Sequence, residues 1–272
     1  MKYLNIGNNI WEWGKKTYIM GILDITPDSF SDGGNFFSEK AALKHALRMV
    51  HEGADIIDVG GESTRPGSVA VTVEEEIQRV TSIIQLLRRE LSIPISVDTY
   101  RAKTAEAAIK AGANLINDIW GLKYDPDMAA VVAKYNVPIC IMHNRTTVAE
   151  YQNLIADILH ELEESIELAH KAGIKDENIL IDPGIGFAKT SEQSFEVMRQ
   201  LDVFKRLGYP ILLGASRKSF IGNVLDLEVQ DRLEGTLAVT AAGIMKGADV
   251  VRVHDVLENV RVAKIIDCLE RV

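Results

Sequence analysis

Glu52-Gly53-Ala54-Asp55-Ile56 recurs as Ala111-Gly112-Ala113-Asn114-Leu115 and again as Lys246-Gly247-Ala248-Asp249-Val250. Each copy follows a helical pattern and leads into a β-branched run. Its glycine therefore takes the left-handed position that ends a helix, and a strand begins almost at once. Ala172-Gly173-Ile174 closes another helix in the same way. Helix, glycine and strand repeated along one chain mean βα units and a parallel sheet.

Working outward from these copies, eight strand-like runs stand out: 18–26, 54–61, 94–99, 114–120, 138–144, 179–182, 210–216 and 248–254. Spread over 272 residues, they leave roughly 34 residues per unit, the size of a βα repeat in a closed barrel. No Pro/Ser-rich linker or shift in composition divides the chain. The predicted fold is α/β: a single TIM (β/α)8 barrel spanning 1–272, with a short N-terminal segment, 1–17, capping its bottom. A doubly wound open sheet would use fewer strands and a Gly-rich first turn. Asp24-Ile25-Thr26-Pro27-Asp28 carries no such fingerprint, and Gly184-Ile185-Gly186 comes only after the sixth strand.

Composition narrows the function. Hydrophobic residues make up 47% and charged residues 25%, with a mean hydropathy of +0.03, as in soluble globular proteins. The net charge of −9 argues against a nucleic-acid partner, which calls for a basic face. An anionic substrate remains possible if the cations serving it are few and concentrated. Cys140 and Cys268 cannot build a disulfide framework and read as buried small hydrophobes in a reducing cytoplasm. Residues 1–13 hold a single lysine and no long apolar core, unlike a signal peptide. No stretch reaches the ~18 apolar residues of a membrane span.

The chemistry collects at the ends of the strands, where barrels of this kind place their active sites. Asp24, Asp58, Asp98, Asn117, His143 with Asn144, Asp182, Ser216, and Arg252 with His254 all lie there. Asp58 and Asp255 read first as caps of the helices that follow, and Asp98-Thr99 as a cap pair. Caps account for one residue per loop, not for a polar residue inside so many apolar runs. Side chains two apart share a strand face, so Arg252 and His254 point the same way. Arg252 then serves either a salt bridge or a phosphate. Two polar loops, 26–34 and 60–67, read as lid candidates. Gly214-Ala215-Ser216-Arg217-Lys218-Ser219-Phe220 ends strand seven, a common place for an anion site. No zinc spacing, Walker motif or nucleophile elbow occurs. Acids, an amide, a cationic site and two lids suit a polar heterocycle beside a phosphate-bearing group.

These residues resemble a known family. Met20-Gly21-Ile22-Leu23-Asp24-Ile25-Thr26-Pro27-Asp28-Ser29-Phe30-Ser31-Asp32-Gly33-Gly34 is similar to the first signature of the dihydropteroate synthases, and Asp58-Val59-Gly60-Gly61-Glu62-Ser63-Thr64-Arg65-Pro66-Gly67 to the second. Ile95 to Thr99, Asn117-Asp118, Asp182-Pro183-Gly184-Ile185-Gly186-Phe187, Ser216-Arg217-Lys218-Ser219-Phe220 and Arg252-Val253-His254-Asp255 resemble the remaining motifs, in order.

The resemblance implies a magnesium-dependent, cytoplasmic homodimer, a sulfonamide target of folate biosynthesis, acting on small molecules without nucleic acid or membrane. It joins 6-hydroxymethyl-7,8-dihydropterin diphosphate to p-aminobenzoate. It further implies that Asp98, Asn117, Asp182 and Lys218 bind the pterin. Asp24, Arg65, Arg252, His254 and Mg²⁺ would hold the diphosphate, with Asp24 on the metal. Phe30, Thr64, Arg65, Pro66, Phe187, Ser216 and Lys218 would surround p-aminobenzoate. Asp98, Lys218, Arg252 and His254 would carry the catalysis. One position departs from the family, which usually has Asn in place of Asp24. That departure leaves open a weakened or non-catalytic pterin-binding paralogue. A pterin-dependent methyltransferase would share the barrel and the acid and amide pterin cradle, but such proteins lack the two loop signatures and the Ser-Arg-Lys-Ser-Phe motif.

Overall fold

The computed structural model describes residues 2–25, 35–62, 71–148 and 150–271. The chain starts with an antiparallel hairpin, β1 (Tyr3–Ile6) and β2 (Asn9–Glu12). Eight parallel strands follow: β3 (Tyr18–Asp24), β4 (Ile56–Gly60), β5 (Ile95–Asp98), β6 (Leu115–Asp118), β7 (Ile139–Met142), β8 (Ile179–Asp182), β9 (Leu212–Leu213) and β10 (Val250–Val253). Consecutive strands from β3 to β8 pair side by side, and β10 pairs with both β3 and β9. A parallel bridge from Ile181 to Ile211 joins the two remaining edges. The sheet thereby closes into the barrel expected from the repeat.

Helices separate the strands: α1 (Asn35–Glu52), α2 (Val73–Glu90), α3 (Ala102–Ala111), α4 (Met128–Tyr135), α5 (Leu154–Lys171), α6 (Ser191–Arg199), α7 (Ser219–Leu225), α8 (Leu233–Met245) and α9 (Val256–Glu270). Strand alternation divides the core in two. Outward residues such as Ile57, Val97, Ile116, Ile141, Ile181 and Val251 pack against the helices. Inward residues Met20, Ile56, Leu115, Cys140, Leu180, Leu212 and Val250 form a separate inner cluster. Leu4, Ile6 and Trp11 of the hairpin belong to that inner cluster, and the Trp11 ring stacks on Tyr18 at 4.3 Å. The N-terminal hairpin thus plugs the barrel floor with apolar side chains.

The repeat does more than its glycines suggest. Gly53, Gly112 and Gly247 have φ of 105°, 121° and 95°. The alanine after each sends its N–H back to the helix, Ala54 to Met49, Ala113 to Ala108 and Ala248 to Gly243, at 2.9 Å in every case. The next residue ties the new strand to its neighbour. Asp55, Asn114 and Asp249 accept the backbone N–H of Ile19, Ile95 and Ile211 at 2.9, 3.1 and 3.0 Å. One five-residue unit therefore ends a helix and anchors the adjacent strand.

Two expectations need correction. The run at 210–216 yields only Leu212–Leu213 as ladder, because Gly214, Ala215 and Ser216 leave the sheet to enter the site. Cys140 is buried as expected, but Cys268, near the end of α9, is exposed.

Candidate active site

Moving two residues up each strand from the apolar floor leads to the mouth. Ile56, Leu115, Leu180 and Val250 of the inner cluster give way on the same face to Asp58, Asn117, Asp182 and Arg252. The floor is apolar and the mouth is charged.

Arg252 is the centre of the mouth. Its Nε donates to Asp58 Oδ2 at 2.6 Å and an Nη to Asp98 Oδ2 at 2.8 Å. Asn117 Nδ2 donates to the same Asp58 oxygen at 3.2 Å. Asp58 has no exposed surface. The other oxygens, Asp58 Oδ1 and Asp98 Oδ1, are buried without a hydrogen-bond partner among the described residues, as is Ser96 Oγ. Buried polar atoms are ordinarily paired, so these acceptors mark a place for a donor-rich ligand. Burial raises Asp98 to about 7, opposed by Arg252 and reinforced by Asp58 and Asp24. Burial disfavours the Arg252 charge, but Asp58, Asp98 and Asp24 outweigh it and hold the guanidinium firmly protonated.

The β8 end supplies a second group. Asp182 Oδ1 accepts the Gly184 N–H at 2.7 Å, and burial raises this carboxyl above its usual range. Lys218, half-buried, donates to the Ile185 carbonyl and sits 4.4 Å from the centroid of the Phe187 ring. Burial lowers Lys218 to about 8, against the pull of Asp182.

At the β9 and β10 ends, Ser216 Oγ accepts the His254 backbone N–H at 3.2 Å and lies 2.9 Å from its Nδ1. Burial lowers His254 to about 4, so the ring is neutral at physiological pH. With Nδ1 accepting from Ser216, its Nε2–H remains a donor. Asp24, exposed at the end of β3, lies in register with Gly60, and its charge is felt by Asp98, Arg252 and His254.

The mouth thus gathers Asp24, Asp98, Asn117, Asp182, Phe187, Ser216, Lys218, Arg252 and His254. Phe30, Thr64, Arg65 and Pro66 lie outside the described residues. Three local readings give way. Asp58 is not a cap but a buried partner of Arg252. Asp255 makes no side-chain cap bond and instead holds Arg217 through two bonds of 2.8 and 2.6 Å. Thr99 accepts the Arg101 N–H and donates to buried Glu76, while Asp98 faces the mouth. His143 is engaged elsewhere, with Lys189. Ser96 is the mouth residue that sequence reasoning missed, whereas Asp58 was placed at its strand end but read as a cap. The alternation that aligned Arg252 with His254 would have found Ser96, two residues before Asp98 on the same face of β5. A cavity of about 850 Å³ opens elsewhere, lined by Trp13, Lys205, Tyr209 and Arg271 and by none of these mouth residues.

Among the described residues no group of three or more His, Cys, Asp and Glu could hold a metal unaided. Mg²⁺ does not require one, since it keeps several waters and binds through one or two carboxylates plus substrate phosphates. The exposed Asp24 carboxylate fits that pattern.

Known proteins resemble this chain in sequence and in fold. A family profile for pterin binding enzymes matches residues 20–254. The dihydropteroate synthase of Clostridium beijerinckii is 61% identical over 269 residues, 98% of this chain and 100% of that protein. The crystal structure of dihydropteroate synthase from Clostridium difficile in the presence of pteroic acid superposes with a TM-score of 0.94 at 52% identity, covering 96% of this chain and 100% of that one. The Xanthomonas albilineans enzyme in complex with 7,8-dihydropteroate gives a TM-score of 0.90 at 36% identity, covering 99% of each chain. On these grounds the chain belongs to the dihydropteroate synthase family of pterin binding enzymes.

Proposed function

We propose that this barrel mouth joins 6-hydroxymethyl-7,8-dihydropterin diphosphate to p-aminobenzoate, forming 7,8-dihydropteroate and diphosphate. The observation that carries the assignment of the pterin pocket is the pair of buried, unpartnered oxygens, Asp58 Oδ1 and Asp98 Oδ1, beneath a cationic rim. A pterin edge is rich in N–H donors, and ionised carboxylates only accept. Asp98, Asn117, Asp182 and Lys218 bind that edge.

Arg252 spends Nε–H and one Nη–H on Asp58 and Asp98, which leaves further guanidinium N–H groups for the diphosphate. His254 adds its Nε2–H. A bound Mg²⁺, held by Asp24, would neutralise charge on the leaving diphosphate. The carbon–oxygen bond breaks with its electron pair on diphosphate. The methylene cation left behind is delocalised into the pterin ring and stabilised by Asp98 and Asp182. The aniline nitrogen of p-aminobenzoate then attacks and releases its proton. Phe187 and Lys218 flank that nitrogen's approach, and Ser216 turns its hydroxyl from His254 to the p-aminobenzoate carboxylate. No covalent nucleophile is required.

Incubating the purified protein with both substrates and Mg²⁺ tests this directly. The expected result is dihydropteroate and diphosphate in equal amounts. Unimpaired pterin binding without product would instead indicate a non-catalytic paralogue, and methyl transfer from a methylated folate would indicate a methyltransferase. Sulfonamides, which imitate p-aminobenzoate, are expected to compete with it; a non-competitive pattern would contradict the pocket placed near Ser216.

Asp24 adds a negative charge beside an anionic leaving group, where the family usually has Asn. Without metal it repels diphosphate. The Mg²⁺ dependence of pterin diphosphate binding is therefore expected to be steeper in the native protein than in Asp24→Asn. Equal metal requirements in a binding titration would sink this assignment.

Assembly as a homodimer in the cytoplasm completes the reading. Its support is the exposure of Val224, Leu225, Met245, Ile265 and Leu269 on α7, α8 and α9, helices packed side by side, since large apolar side chains left exposed on adjoining elements suit an association surface. Among the described residues no helix is long and apolar enough to cross a membrane.

A further inference from the structure

The loop from β8 to α6 carries Asp182 at one end and Phe187 near the other, and it folds around a second lysine that the proposed reaction does not use. Lys189 is buried, with 7% of its surface exposed. Its Nζ donates to the Gly184 carbonyl at 2.9 Å and the Phe187 carbonyl at 3.1 Å, and lies 3.0 Å from His143 Nδ1. An ammonium has three N–H donors, and here three acceptors meet it. Burial holds His143 neutral, far below its usual range, so Nδ1 is free to accept. Its Nε2 lies 3.1 Å from Glu161 Oε2, and Glu161 in turn pairs with Arg145. Burial lowers Lys189 to about 7, opposed first by the Asp182 carboxylate.

The backbone is shaped to present those carbonyls. Gly184, Gly186 and Ala188 have φ of 71°, 76° and 49°, so every second residue is left-handed. Gly184 lies so close to the His143 carbonyl that a Cβ there would overlap it. At Gly186 a Cβ would stand 3.0 Å from Lys218 Cδ. Carbonyls of the loop consequently face two ammonium groups: Gly184 and Phe187 face Lys189, and Ile185 faces Lys218.

We propose that Lys189 is a positioning residue for the synthase reaction: its buried ammonium pins the Gly184–Phe187 loop, and so sets Phe187 and the carbonyl that orients Lys218 against p-aminobenzoate. The inference rests on the function proposed above. Without this ammonium the Phe187 carbonyl loses its donor inside the protein and the Gly184 carbonyl keeps only the Phe187 N–H at 3.1 Å, and acceptors left short of donors drive a loop to rearrange.

Lys189→Met keeps the length of the side chain and removes the donors. Its KM for p-aminobenzoate is expected to rise at least tenfold, several times more than the KM for pterin diphosphate, whose binding Lys218 shares with Asp98, Asn117 and Asp182, while kcat changes less than fivefold. Hydrogen exchange across residues 184–188 is expected to quicken, with the rest of the barrel unchanged. His143→Phe preserves a ring but removes one acceptor, and is expected to raise the p-aminobenzoate KM two- to fivefold. Both KM values within twofold of wild type in Lys189→Met would overturn the proposal. If Lys189→Met does not fold, an unchanged p-aminobenzoate KM in His143→Phe would overturn it. Wild-type turnover judges the synthase reading separately, and the exchange measurement needs no turnover.

Discussion

Arg252→Ala is expected to lower kcat/KM for pterin diphosphate on the order of 10²–10³-fold, the range seen when a preorganised donor to a developing oxyanion is removed. It is also expected to destabilise the fold. Arg252 is the counter-ion of Asp58, which has no exposed surface, and of Asp98. Removing one partner of a buried ion pair costs about 3–5 kcal/mol, because a charge is left uncompensated. The protein will relieve part of that cost by protonating a carboxyl, so Asp98, already near 7, is expected to move higher. The acid limb of pterin binding then shifts to higher pH. Thermal melting and kinetics on the same preparation separate the two effects, since bound pterin restores stability but not diphosphate release. Normal turnover in a folded Arg252→Ala protein would refute the assignment.

Asp98→Asn is expected to weaken pterin binding by about 10- to 100-fold. Each hydrogen bond to a charged partner contributes about 1.5–3 kcal/mol, and the amide presents one oxygen where the carboxylate presents two. The pH dependence follows from the same residue. Below about 7 Asp98 takes up a proton and ceases to be a pure acceptor, so wild-type affinity falls on the acid side. Above about 8 Lys218 loses its proton, and affinity falls again. Binding of 6-hydroxymethyl-dihydropterin, which has no diphosphate to titrate, is therefore bell-shaped with its maximum between those values. In Asp98→Asn the acid limb disappears. Stability carries the opposite sign. A carboxyl raised in the folded state makes no penalty below its unfolded value near about 4, and costs stability as pH rises through about 7. The unliganded protein thus loses stability from this group over the window in which it gains affinity. A wild-type binding curve flat from pH 6 to 9 would contradict both statements.

The barrel was legible because its signal is local. Gly53, Gly112 and Gly247 each end a helix within sight of the next strand, and alternation then divides floor from wall. The strand ends were legible for the same reason, since Asp24, Asp98, Asn117 and Asp182 interrupt apolar runs. Asp58 was misread because its partner is 194 residues away in Arg252. Nothing near Asp58 distinguishes a helix cap from half of a buried ion pair, and only closure of the sheet between β3 and β10 decides. Lys189 was hidden for a related reason. A lysine between Ala188 and Thr190 reads as solvated until the left-handed turn before it folds back and supplies acceptors. Asp55, Asn114 and Asp249 lay in plain view inside the repeat. Their service to a neighbouring strand depends on a register that a single βα unit does not reveal.

A net charge of −9 does not preclude diphosphate chemistry. Arg252, Lys218 and neutral His254 concentrate their donors at one end of the barrel, among the carboxylates Asp58, Asp98 and Asp182. The mean charge of the surface says little about that mouth.

The central claim is that the unpartnered Asp58 and Asp98 oxygens mark the pterin pocket. A crystal structure of the protein with 6-hydroxymethyl-dihydropterin tests it most directly. The ring edge is expected within hydrogen-bond distance of Asp98 Oδ1, Asn117 and Asp182, with Lys218 beside it and Arg252 still bridging Asp58 and Asp98. A pterin bound outside the barrel mouth, or one that leaves Asp98 Oδ1 without a partner, would contradict the account.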